Sequence, residues 1–101
     1  MAETLKQEAK RLLDNVPEEY VFRCCDGSIL HSVKELGAAL KTMTDETYAF
    51  HVNTEKNDFT TWVRDIIKDE RLAKNLQKAP NQAQAAKLVD SRISLLSKRL
   101  G

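Results

Sequence analysis

Glycine and proline are scarce, three and two residues in a chain of 101. That argues against a loop-rich or all-β architecture, because turns and bulges draw on both. There are only two cysteines, and they are neighbours, Cys24 and Cys25. A disulfide between adjacent residues demands a strained geometry, so both read as reduced thiols of a cytoplasmic protein. Neither sign of charge prevails: the formal net charge is +1, too little for a global field that gathers nucleic acid or anionic lipid. No apolar run approaches the roughly 18–20 residues needed to cross a bilayer. The N-terminal stretch also lacks the apolar core of a secretory signal. What is present is 42% hydrophobic and 31% charged, the balance of a soluble globular protein. The length suits one domain, residues 1–101, with one marginally stable core.

Hydrophobic spacing predicts mostly helix. Residues 2–15 read as a first helix with Leu5, Ala9, Leu12 and Val16 on one face and Leu13 beside it; Pro17 ends it, since the residue before proline is pushed out of helical angles. Tyr20 to Cys24 is rich in β-favouring types, and Asp26-Gly27 between two short apolar runs is a hairpin signal. Strand alternation puts Tyr20, Phe22 and Cys24 on one face, expected to be buried. Ser32 and Glu35 form a capping box ahead of a helix with Val33, Leu36, Leu40 and Met43 as its apolar positions. Gly37 lies inside that helix at a cost of about 1 kcal/mol relative to Ala, which a close approach of another backbone would explain. Thr44 is the expected cap of a helix running to about Val52.

The stretch from Tyr48 to Ile67 holds the only Trp and two of the three Phe residues. Phe59, Trp62, Val63, Ile66 and Ile67 recur at amphipathic spacing. Asp58 is the expected cap of that helix, which we expect to be the central post of the domain. A short helix with Leu72, Ala73 and Leu76 follows. Asn81 then caps the longest helix, residues 82–100, whose Ala86, Val89, Ile93, Leu96 and Leu100 step by three and four. That seam would suit packing on the first helix or on a copy of itself. The expected fold is mainly α, a compact bundle of about six helices with one short β-hairpin near residues 20–30. Its core spans residues 20–79, with flanking helices at 2–15 and 82–100.

The residues that carry chemistry form no strong motif. His51 precedes Asp58 by seven positions, and a His with an Asp partner is general-base or ligand chemistry. No Ser or Cys nucleophile stands at a recognisable motif beside it. The plainer reading is that His51 closes its helix by bonding a C-terminal carbonyl. Cys24, Cys25, Asp26, His31 and His51 are the set with metal-ligand chemistry, but their spacing matches no zinc pattern. Adjacent cysteines in a strand also point to opposite faces. Oxygen ligands occur at Asp45, Glu46 and the 53–58 turn, out of the order an EF-hand needs. Gly27, Gly37 and Gly101 are isolated, so no phosphate loop is present. No metal and no other cofactor is expected. Lys87, Arg92, Lys98 and Arg99 make the last helix moderately basic, as phosphate-tracking helices are, yet Asp90 interrupts them and no aromatic is there to stack bases.

Phe22 with Asp26-Gly27, Leu30 through Leu36, His51 followed by Asn57-Asp58-Phe59 and Trp62, and then Leu72-Ala73 resemble a small helical domain of unknown function seen in archaea and bacteria. The resemblance covers rather more than half of the chain. It implies a compact helical module, alone or attached to other proteins, and no established activity. Of the shared residues, His51 and Asn57 are the two that the fold does not obviously need, and such polar side chains are expected at binding surfaces.

The functional expectation is therefore a non-enzymatic interaction module that meets a protein partner near the 53–58 turn, with His51, Asn53, Asn57, Asp58 and Trp62 as its binding residues. The alternative is a nucleic-acid-associated protein using Lys87, Arg92, Lys98 and Arg99. A homodimer through the last helix is a further expectation, and no membrane association is expected.

Overall fold

In the computed structural model, which describes residues 3–101, the longest helix is the element on which the others are assembled. The order is α1 (Leu5–Leu13), a 3-10 turn (Glu18–Tyr20), β1 (Phe22–Arg23), β2 (Ile29–Leu30), α2 (Val33–Thr42), α3 (Asp45–His51), α4 (Asp58–Trp62) continued by a π-helical turn (Val63–Ile67), α5 (Glu70–Gln77) and α6 (Gln82–Leu100). Ala2, the expected start of the first helix, lies outside the described residues. The mainly α fold with six helices and one two-stranded antiparallel hairpin is as expected from the sequence. No helix is long and apolar enough to cross a membrane, among the described residues.

The centre of the molecule differs from the expectation. Phe59, Trp62, Val63 and Ile67 are buried as the spacing predicts, but α6 is the post: α1, α2 and α5 all pack against it. Val89 and Leu96 are wholly enclosed, and Ala9, Leu12 and Leu13 of α1 join the same hydrophobic core. The two helices expected to flank the domain are thus part of its interior. An amphipathic stripe says that a face is covered, not which helix stands in the middle. The seam of α6 is spent within the chain, and Leu95 is the large apolar side chain that α6 leaves exposed.

Gly37 of α2 shows how closely the helices approach. A Cβ there would meet Ile93 Cδ1 at 3.1 Å, Val89 Cγ1 at 3.2 Å and Asp90 Oδ1 at 3.3 Å, all on α6. It is side chains of another helix, not a backbone, that leave no room. Gln82 adds a polar tie: its Nε2 donates to Leu40 O at 2.8 Å and Met43 O at 2.9 Å, serving carbonyls at the C-terminal end of α2 that the helix itself leaves open.

Local polar chemistry fixes the helix ends. Thr4 and Gln7 form a reciprocal capping box on α1. Ser32 accepts from Glu35 N as expected, but the Glu35 carboxylate reaches past the cap to His31, accepting from its backbone N–H at 2.7 Å and lying 2.9 Å from Nδ1. Thr44, Asp69 and Asn81 cap α3, α5 and α6. The cap of α4 is Asn57 rather than Asp58, its Oδ1 accepting from Thr60 N at 3.0 Å; this frees the Asp58 carboxylate for another role.

The hairpin pairs Phe22 with Leu30 and Arg23 with Ile29. Phe22 and Cys24 are buried, but Tyr20 is 52% exposed, contrary to the alternation argument. A 3-10 turn at residues 18–20 replaces the expected strand start, so period-two reasoning does not apply there. The backbone of Tyr20 is still held inside: its carbonyl accepts from Trp62 Nε1 at 2.8 Å.

Candidate functional site

Each residue expected at the binding surface turns out to carry a structural bond. His51, the last residue of α3, is only 4% exposed. Its Nε2 accepts from the backbone N–H of Cys25 at 3.0 Å, and its Nδ1 lies 3.0 Å from Asp58 Oδ2. An N–H donor facing Nε2 requires that nitrogen to be the acceptor, so the ring proton sits on Nδ1 and is donated to Asp58. The ring is packed among Phe22, Phe50 and Phe59, with centroids 5.0–5.2 Å away. His51 therefore does not bond a carbonyl of its own helix. It ties the tip of the hairpin to the start of α4.

Asp58 completes that tie. Its Oδ2 also receives Lys56 Nζ at 3.0 Å. Burial pushes the Asp58 carboxyl up, but the bonds from His51 and Lys56 outweigh it and hold it below the ordinary carboxylate value. Asn53 donates through Nδ2 to the carbonyls of Ala49 and Phe50 and accepts from Glu55 N, closing the end of α3. The turn that follows is stapled by Asn53 N–H to Lys56 O and by an antiparallel bridge between Val52 and Asn57. Trp62 is buried, its indole N–H spent on Tyr20.

The arrangement bears on the chemistry available. Cys, His and Asp do meet here in composition, but His51 Nε2 is occupied by the main-chain N–H of Cys25, not by a thiol. A base must face the proton that it removes, and this imidazole has no nitrogen left to do so. Cys24 is buried, and that burial, before the nearby Asp26 and Cys25, pushes its thiol up to about 11. It stays protonated near neutral pH and is a poor nucleophile. Both cysteines are free, Cys25 exposed. Among the described residues, no three His, Cys, Asp or Glu side chains converge as metal ligands would.

The surface beside these bonds holds what sequence reasoning missed. Phe50 is 56% exposed, and Lys56 Nζ sits 4.6 Å from the centre of its ring, within cation–π range. Lys56 also lines a cleft of about 430 Å³ formed by the turn, Thr60, Thr61 and Arg64 of α4 and its extension, and Gln77. The Thr60 hydroxyl is buried without a partner. The signal for Phe50 was available: Thr47 and His51, four apart, share the buried face of α3, which leaves Phe50 off it.

The basic residues of α6 divide into two kinds. Arg92 is only 10% exposed and Asp69 2%; they form a two-pronged pair, Nε to Oδ2 at 2.8 Å and Nη2 to Oδ1 at 3.2 Å. Arg99 reaches Glu8 of α1 at 3.5 Å. Lys87 and Lys98 are exposed. Nothing in the sequence tied Arg92 to an aspartate 23 positions earlier.

Comparison with protein-family profiles, with curated proteins and with solved structures gave no match to the chain.

Proposed function

We propose that this chain is a non-enzymatic protein-interaction module whose contact face is the 53–58 turn together with Phe50 and Lys56. The carrying observation is Phe50, a large aromatic left more than half exposed beside a polar cleft. Aromatic side chains held rigid at a surface are the usual anchors of protein interfaces. This one is rigid because Asn53, His51 and Asp58 fix the end of α3 and the turn after it. The expected binding residues keep their place in this reading but change their duty. His51, Asn57 and Asp58 brace the face from beneath, Asn53 closes the exposed end of α3 and Trp62 lies in the core against Phe22, while Phe50 and Lys56 meet the partner. The buried, protonated Cys24 suits a reducing, cytoplasmic setting.

The test is affinity capture and cross-linking with the wild-type chain and with Phe50→Ser and Lys56→Glu, both exposed positions. A partner cross-linked at the turn and lost with both variants is the expected result. The same partners for all three baits, or none for any, would refute the reading. Among the described residues, the nucleic-acid alternative keeps Lys87 and Lys98 of α6 without an ion pair, while Arg92 and Arg99 are each paired with a carboxylate. A gel-shift titration at low salt addresses it, because phosphate contacts give a steep salt dependence.

A further inference from the structure

We propose that the cleft between α1, α5 and α6 is a binding site for a small organic phosphate. The cleft has a volume of about 470 Å³ and gathers four cationic side chains from separate parts of the chain: Lys68, Arg71, Arg92 and Arg99. Three carboxylates share it, Glu8, Asp69 and Glu70. Two of them are already answered, Asp69 by Arg92 and by the Leu72 N–H, and Glu8 by Arg99. Lys68 and Arg71 form no ion pair among the described residues, and one net positive charge is left over in a chain that is nearly neutral as a whole.

Arg92 is what makes the cleft more than a charged patch. Its side chain is nine-tenths buried and clamped by Asp69 through Nε and Nη2. A guanidinium has five N–H groups. Among the described residues the two on Nη1 are not committed to any atom, and Arg92 lines the cleft. A donor fork whose position is already fixed has little rotamer freedom to lose on meeting an anion. Arg71 and Lys68 add mobile charge beside it.

The chemical class follows from the arrangement. A lone carboxylate is satisfied by one planar fork. Lys68 and Arg71, unpaired among the described residues, with the Nη1 fork of Arg92 between them and α6, suit a tetrahedral dianion with several oxygens. Leu5, 63% exposed, stands on the rim of the same cleft and Leu12 lines its interior, a surface for an apolar substituent on the phosphate.

The test is a ¹⁵N-resolved NMR titration with phenyl phosphate and with inorganic phosphate, with sodium chloride at matched ionic strength as control. Saturable shifts are expected at the amides of Lys68, Asp69 and Arg71 and at Arg92 Nε–H with phenyl phosphate. Weaker binding is expected for inorganic phosphate, and none with chloride. Lys68→Gln and Arg71→Gln together should weaken phenyl phosphate by about tenfold or more, with thermal unfolding unchanged because both side chains are exposed. Leu5→Ser should bring the two phosphates closer in affinity. Shifts that follow ionic strength alone, no saturation by about 10 mM, or undiminished binding in the double variant would overturn the proposal. None of these residues belongs to the 53–58 face, so either assignment can fail without the other.

Discussion

Replacing His51 by alanine should remove a large part of the stability of the fold. The ring fills a pocket among three phenylalanines, and truncating a buried aromatic-sized side chain costs about 3–5 kcal/mol. The two lost hydrogen bonds, each worth about 1 kcal/mol net, add to that figure. A domain of this size has only about 5–15 kcal/mol in hand. His51→Phe separates the contributions: it keeps the ring volume and drops both bonds, so it should cost about 1–3 kcal/mol. The assay is urea denaturation followed by far-UV circular dichroism and by the fluorescence of Trp62, which sits in the same aromatic cluster through Phe22. A cycle with Asp58→Ala should show coupling of about 0.5 kcal/mol or more. If His51→Ala stays within about 0.5 kcal/mol of the wild type, the residue is not the brace described, and a role at the surface would have to be restored to it.

Three further outcomes are expected. The Asp58 carboxyl lies below its ordinary value of 3.8 in the folded state, so the unfolded chain binds that proton more tightly; the stability it contributes is present above 3.8 and lost as pH falls through the lower folded value, and Asp58→Asn should flatten that part of an acid-unfolding curve. Arg92→Leu strands Asp69 in the interior and should cost about 3–5 kcal/mol, with part of the loss recovered in the Asp69→Ala, Arg92→Leu double variant, measured by thermal and urea unfolding. Gly37→Ala should fall within about 1 kcal/mol of the wild type, because its helical gain is offset by contacts of 3.1–3.3 Å, whereas Gly37→Val should destabilise by about 2–3 kcal/mol in the same assay.

The features that were legible in the sequence are the ones decided within a few residues. Ser32, Thr44 and Asn81 cap the helices they were expected to cap, because a cap needs only its own side chain and an amide three positions on. Asn57 and Asp58 were confused because both types serve as caps. What was hidden lies across long separations: Cys25 to His51, Tyr20 to Trp62, Asp69 to Arg92. For that reason His51 and Asn57, whose bonds could not be seen, looked dispensable to the fold. They are among its fasteners, and Phe50 is left exposed between the buried Thr47 and His51 of α3.

The π-helical turn between α4 and α5 carries one residue more than an ordinary spiral would need, and Lys68 closes it in a left-handed conformation (φ 69°). The extra residue is absorbed by the width of the turn, in which the amides of Lys68 and Asp69 both donate to Val63 O. Deleting one residue would let the segment wind as an ordinary α-turn, and those two bonds, with Asp69 as cap of α5 and partner of Arg92, would have to be re-seated. The length of this segment is thus as much a part of the design as its chemistry.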